Sequence, residues 1–163
     1  MLATTPPRNI PQDHPYVEVF SEIGTIEHFL RLAVTRHLPV GVTYAHFELL
    51  NYFMRHGDGQ TPAELSRVLL MTKGAITNIL QKMETLGYVA VLADCADRRK
   101  KRVRVTRTGL DALACIHREM KGKTEALRDG FTDNEFRAAI PFLRALRTFL
   151  AEVSGEQAEL VRV

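Results

Sequence analysis

Two helix starts stand close together in the middle of this chain, and they leave the segment between them few options. Thr61-Pro62-Ala63-Glu64 is a capping box: a threonine cap, proline at the first helical position, and a glutamate three residues on that reaches back to the cap. Leu65, Val68 and Leu69 give the short helix one apolar side. Thr72 then caps a second helix, in which Ile76, Ile79, Leu80 and Met83 recur at i, i+3, i+4 and i+7 before Gly87 ends it.

The flanking chain is also helical in pattern. Val19, Ile23, Ile26, Leu30 and Ala33 lie on one face of a helix from Tyr16, stopped by Pro39 and Gly41. Thr43 reads as the cap of a helix carrying Phe47, Leu50 and Met54 and ending at Gly57, followed by a turn through His56-Gly57-Asp58-Gly59. Downstream, Thr108 is expected to open a helix with Leu110, Leu113, His117, Met120 and Leu127 on a stripe. Thr132 or Asp133 starts a last helix with Phe136, Ile140, Leu143, Leu150 and Val153 on one side, widened by Phe142, Leu146 and Phe149. Pro141 should kink or restart it. Pro6, Pro7, Pro11 and Pro15 forbid a regular helix at the start and predict an extended arm, and the last eight or so residues should fray.

Between the helices, Tyr88 to Leu92 is β-prone, and Val103-Arg104-Val105-Thr106 alternates apolar and polar residues as a half-buried strand does. The turn joining them is the most basic part of the chain. Residues 98 to 107 hold seven basic side chains and no acidic one, while the whole chain is only +3. Positive charge concentrated without local counter-charge suits a phosphate backbone, since each neutralised phosphate releases condensed counterions.

Composition sets outer limits. The 163 residues suit one domain with extensions, and 45% hydrophobic with 25% charged residues is ordinary for a globular protein. The first fifteen residues lack the basic start and apolar run of a secretory signal, and no apolar stretch reaches membrane-spanning length. The expected location is the cytoplasm, without membrane association. Cys95 and Cys115 form no Cys-x-x-Cys pair.

These elements assemble into a mainly α fold: a winged helix-turn-helix with a small antiparallel β-hairpin wing, flanked by N- and C-terminal helices. In such a unit the second helix enters the major groove of DNA and the first braces it. The face of helix 72–86 opposite its apolar stripe carries Lys73, Gly74, Ala75, Thr77, Asn78, Gln81 and Lys82, small or polar and free of carboxylates. Asn78 and Gln81 suit adenine, Lys73 or Lys82 guanine or phosphate, and the methyl groups of Ala75 and Thr77 thymine. Thr72 and Lys73 at the helix start suit phosphate instead. Arg98, Arg99, Lys100 and Lys101 on the wing would meet the minor groove or backbone.

In its ordered blocks the chain resembles the MarR family of transcriptional regulators. The blocks are Val42-Thr43-Tyr44-Ala45-His46-Phe47, Thr61-Pro62-Ala63-Glu64-Leu65-Ser66, Thr72-Lys73-Gly74-Ala75-Ile76-Thr77-Asn78, Leu86-Gly87-Tyr88-Val89, Asp94-Cys95-Ala96-Asp97-Arg98-Arg99 and Val105-Thr106-Arg107-Thr108-Gly109. The resemblance implies a homodimer on a pseudo-palindromic double-stranded DNA operator, more often a repressor, released by a small anionic or phenolic effector. It implies that Arg99 is the wing-tip arginine and that Asp97 anchors the wing by pairing with a nearby arginine. It places an effector pocket between the dimerisation helices and the winged domain, with Phe20, His28, His46, Phe47 and His117 as candidate lining residues. The division that follows is an arm over 1–15, a dimerisation region over 16–42 and 108–155, a DNA-binding domain over 43–107 and a tail over 156–163.

Other readings weigh less. Cys95 on the basic wing is a redox candidate, because cationic neighbours favour a thiolate, whereas Cys115 is expected in a helix core. The six histidines include no pair spaced for one helix face, so no metal and no cofactor are expected. No nucleophile motif or phosphate-cradling glycine loop points to an enzyme. An architectural DNA-binding protein with no ligand would share the same wing and helix.

Overall fold

The computed structural model describes residues 14–153. Within them the elements run α1 (Pro15–Thr35), α2 (Tyr44–His56), α3 (Pro62–Val68), α4 (Lys73–Thr85), β1 (Val89–Ala93), β2 (Lys101–Val105), α5 (Arg107–Glu119), α6 (Lys121–Gly130) and α7 (Asp133–Val153). The mainly α fold with one antiparallel hairpin is the one expected from the sequence. Most of the proline-rich arm, and the tail over 156–163, lie outside the described residues. Pro15, assigned to the arm, is instead the first residue of α1, where its missing N–H removes no helical bond. Among the described residues no helix is long and apolar enough to cross a membrane.

The helix starts form as their caps dictate. In α3 the Glu64 amide donates to Thr61 Oγ1 at 3.2 Å and the Thr61 amide donates to Glu64 Oε2 at 2.7 Å. That bond, with the cap hydroxyl, holds the Glu64 carboxyl below its ordinary range. In α4 Thr72 Oγ1 accepts from the Ala75 amide at 3.1 Å. A capping box also opens α7, where Thr132 and Glu135 bond reciprocally.

α2 is the centre of the core. It packs against α1, α4 and α5, while α3 packs on α4 and α4 on β1. Leu49, Leu50, Leu65, Ile76, Met83, Val103, Leu113 and Ile116 are fully buried. Each such side chain contributes about 2 kcal/mol of apolar burial. The strands pair Val89 with Val105 and Val91 with Val103, and Val89 and Val103 close the core from the hairpin side.

Several boundaries differ from the sequence reading. The cap of α5 is Thr106, not Thr108: its hydroxyl accepts from the Gly109 amide at 3.1 Å and donates to the Gly87 carbonyl at 2.5 Å, fixing the helix start to the end of β2. The helix expected to run from there to Leu127 is two helices. It breaks at Met120, the single residue between α5 and α6. Leu110 and Leu127 are exposed. Cys115 is exposed as well, because Gly109, Leu113 and Ile116 form the inward stripe of α5 and Cys115 lies about 200° round the helix from Leu113. Nor does Pro141 restart the last helix; α7 is continuous across it.

Candidate nucleic-acid interface

The outward face of α4 is as open as its sequence requires. Thr72, Lys73, Gly74, Thr77, Asn78, Gln81 and Lys82 are exposed and Ala75 is half-buried, while Ile76, Leu80 and Met83 are buried on the opposite side. The Thr77 hydroxyl donates to the Lys73 carbonyl at 2.9 Å, which leaves its methyl group free to point outward. A Cβ built on Gly74 meets nothing within 4 Å, so the glycine keeps this face low rather than relieving a clash. The carboxylate of α4 nearest the hairpin, Glu84, is engaged: it accepts the Val91 amide at 3.0 Å and ties the helix to β1.

The basic hairpin is less bare than its sequence suggests. Acids distant in the chain, or just outside the basic run, come to meet it. Arg102 Nε donates to Asp94 Oδ2, and Arg102 Nη1 donates to the Gly59 carbonyl at 2.9 Å and lies 4.0 Å from Glu64. Arg104 Nη1 donates to Asp58 Oδ1 at 2.8 Å. Arg107 pairs with Asp111 one helical turn on, and Lys100 approaches Asp97 at 4.0 Å. Among the described residues, three of the seven cations have no acidic partner: Arg98, Arg99 and Lys101. All three are exposed.

The anchor of the wing is Asp94. The pairing with an arginine expected of Asp97 falls to it, because Asp94 closes the end of β1 opposite Arg102, across the Leu92–Arg102 and Ala93–Lys101 register. Its other oxygen accepts the amides of Ala96 at 2.8 Å and Asp97 at 3.0 Å. Arg102 first, then these two amides, hold the Asp94 carboxyl at about 2. Asp97 instead accepts the Arg99 amide at 3.1 Å, and so shapes the turn that carries Arg98 and Arg99. Cys95 is exposed in this turn.

Asp58 is the residue that sequence reading missed. The turn through 57–60 lies beside β2 like a third strand: the Gly59 amide donates to the Val103 carbonyl at 2.8 Å, and the Val103 amide to the Gln60 carbonyl at 3.0 Å. Asp58 Oδ2 continues the pattern by accepting the Val105 amide at 2.8 Å. The only local signal was an acid between two glycines.

The candidate pocket residues do not all meet. Phe47 is buried and His117 packs edge-on to it, ring centroids 6.0 Å apart, with His117 Nε2 3.0 Å from Asn51 Oδ1. His46 is a buried cap: its Nδ1 accepts the Thr43 amide at 2.8 Å, the part glutamate plays in α3. Phe20 and His28 are exposed on α1, and among the described residues their ring contacts are with the neighbouring Tyr16 and Phe29. A cavity of about 220 Å³ does lie beside Phe47. Tyr44 and Phe47 form its aromatic side, Arg55, His56 and Arg147 bring basic groups, and Glu48 completes that side of α2. Burial pushes the Glu48 carboxyl up. Arg31 of α1 lies 4.7 Å above the Tyr44 ring.

Residues 40–100, from the approach to α2 through the wing turn, match the model of the MarR family. A mutant of MarR from E. coli, solved with operator DNA, is similar in fold with a TM-score of 0.67 at 22% identity, over 80% of this chain and 94% of that one. FabT from Streptococcus pneumoniae, solved in complex with DNA, gives a TM-score of 0.69 at 20% identity, over 85% of this chain and 99% of that one. The organohalide-sensing regulator RdhR, in its 2,4-dichlorophenol-bound form, gives 0.69 at 18% identity, over 91% of this chain and 89% of that one. At these identities the likeness is one of fold. No curated protein matches the chain at a significant level.

Proposed function

We propose that this chain, whose residues 40–100 match the MarR family model, is a MarR-type, sequence-specific DNA-binding regulator of transcription, acting as a homodimer and more often as a repressor. The observation that carries this reading is a pairing of surfaces: an exposed α4 face free of carboxylates, hydrogen-bonded through Glu84 to a hairpin whose turn presents Arg98, Arg99 and Lys101 without acidic partners. Residues 43–107 form the DNA-binding domain. Asn78 and Gln81 read bases, Thr72, Lys73 and Lys82 hold backbone or guanine, Gly74, Ala75 and Thr77 admit close approach, and Arg98, Arg99 and Lys101, with Lys100 beside them, meet phosphate or the minor groove.

Residues 16–42 and 108–155 supply the dimer. Phe20, Ile26 and Phe29 of α1 and Phe136, Phe142, Leu143 and Phe149 of α7 are exposed in the single chain, more apolar surface than a monomer leaves in water. A twofold axis through these helices sets two reading helices about 34 Å apart, one turn of duplex. The effector site is the cavity beside Phe47, where an aromatic side and the cations Arg55 and Arg147 suit a small aromatic anion or phenol. Such a ligand acts only if it prefers one spacing of the reading helices over another.

Selection of duplexes from a random pool, followed by footprinting and titration in salt, tests the proposal. A pseudo-palindromic site protected in two successive major grooves, bound at least about a thousandfold more tightly than random duplex, is the expected result. Equal binding of all duplexes identifies an architectural protein. No binding to any duplex at low salt ends the reading.

A further inference from the structure

We propose that Asp58 is a positioning residue for DNA recognition, and that Arg104, its partner, is withdrawn from DNA to serve as the lever by which the wing is held. This deepens the DNA-binding reading and rests on it. By charge alone Arg104 belongs with the wing cations. The geometry assigns it otherwise. Asp58 uses both carboxylate oxygens on β2: Oδ1 accepts Arg104 Nη1 at 2.8 Å and Oδ2 accepts the Val105 amide at 2.8 Å. A carboxylate that bridges a side chain and a backbone amide of one strand fixes the strand's rotation as well as its distance.

The turn is built around this clamp. Gly59 has a φ of +102°, open to glycine at little cost, and a Cβ placed there lies 3.1 Å from Arg104 Nη1 and 3.3 Å from its Cζ. The guanidinium therefore lies against the turn's backbone in space that any other residue would occupy. Two more bonds, from the Gly59 amide to Val103 and from the Val103 amide to Gln60, join the same turn to the same strand. The turn in turn leads directly into the cap of α3 at Thr61. Asp58 thus couples the angle of the wing to the helix that braces α4, across 46 residues of sequence.

The consequence is a division of labour among cations on one hairpin. Arg98, Arg99 and Lys101 are left to meet phosphate or groove, while Arg104 and Arg102 pair with the half-buried carboxylates of Asp58 and Asp94 and set where the others point. A wing free to swing still attracts DNA, because its charge remains. It loses the fixed distance between minor-groove and major-groove contacts on which sequence preference depends.

The test uses the full chain, with a random-sequence duplex and the duplex that the wild-type protein selects from a random pool. Asp58→Ala is expected to lower the preference for the selected duplex by about tenfold or more, with random-duplex affinity changed less than about twofold. Arg104→Ala should match it and leave the salt dependence of binding unchanged, and the double variant should be no worse than either single one. A direct phosphate contact by Arg104 would instead reduce the slope of log affinity against log salt by about 1.8 per dimer and weaken all sequences alike; that result overturns the proposal. So does an Asp58→Ala protein with intact preference. Should Asp58→Ala fail to fold, Asp58→Asn keeps an acceptor for the Val105 amide while removing the ion pair, and must still lose preference. Failure of the wild-type protein to bind any duplex refutes the DNA-binding reading instead, and is read before any variant is compared.

Discussion

The winged unit and the long helices that flank it obey opposite rules of burial. From α2 to α5 most apolar residues turn inward: Leu49, Leu65, Ile76, Met83 and Val103 have no exposed surface. In α1 and α7 the apolar residues are as numerous but outward. Val34 is the buried residue of α1 and Ala151 that of α7, while Phe29 is 65% and Phe149 60% exposed. The two regions are alike in hydrophobic content and in helix. They differ in what completes them. The winged unit closes on its own chain, and the flanking helices leave an apolar face uncovered in the single chain, the face proposed above to meet a second copy.

The largest effect expected on the self-sufficient side comes from Gly109. A Cβ there lies 2.3 Å from the Tyr88 carbonyl oxygen, a backbone atom that cannot swing away. Gly109→Ala should cost about 3 kcal/mol or more of stability, seen as a fall in thermal midpoint or in the denaturant midpoint. An unchanged midpoint would mean that α5 seats on the hairpin less closely than it does here.

On the incomplete side the expectation is reversed. Phe149→Glu removes no contact of the buried core, so the folded content by circular dichroism should be kept. If α7 meets a second copy, the substitution buries a charge at that contact and weakens the dimer by about a hundredfold, measurable by sedimentation equilibrium. A wild-type chain that is monomeric at micromolar concentration would break the comparison outright.

A smaller loss, about tenfold in affinity for the selected duplex, is expected of Arg99→Ala without change in fold or assembly. Arg99 carries no acidic partner to release, and its backbone is held independently through Asp97. Intact affinity in the folded variant would reject the wing-tip assignment.

The contrast also explains what the sequence made legible. Caps, helix periods and strand alternation are local, and they located α2, α3, α4 and the hairpin to within a residue or two. The outward face of α4 followed from the same period. What stayed hidden was pairing across distance. The seven cations of 98–107 have no acid among them, so the stretch looked wholly unneutralised, yet Asp58 and Glu64 reach it from the turn and cap before α3. The capping role of His46 stays hidden for a related reason: an aromatic residue at the third position of a helix reads as packing or pocket, and its use as a cap depends on a ring orientation that spacing cannot show.

That cap yields the smallest effect. His46 Nδ1 accepts the Thr43 amide, which requires an unprotonated nitrogen, and the Thr43 hydroxyl lies 3.1 Å away. Burial, with the positive charge of Lys82 on α4, lowers its affinity for a proton below the ordinary 6.5. The unfolded chain therefore binds this proton more readily than the folded one. Stability from His46 is fully present above pH 6.5 and is lost as pH falls toward the lower folded value. The lowered carboxyls of Asp94, Glu64 and Glu135 stay ionised over pH 7 to 5.5 and add little in that window, and Glu48, whose carboxyl is raised, acts in the opposite sense. His46→Gln keeps a side-chain acceptor for the cap and removes the titration. Between pH 7 and 5.5 the wild-type thermal midpoint should fall further than that of His46→Gln. Equal slopes for the two proteins would show that the cap does not depend on the charge of this ring. A steeper fall in the variant would show that the ring is protonated in the folded chain and that Lys82 lies farther from it, which would loosen the link drawn here between the start of α2 and the reading helix.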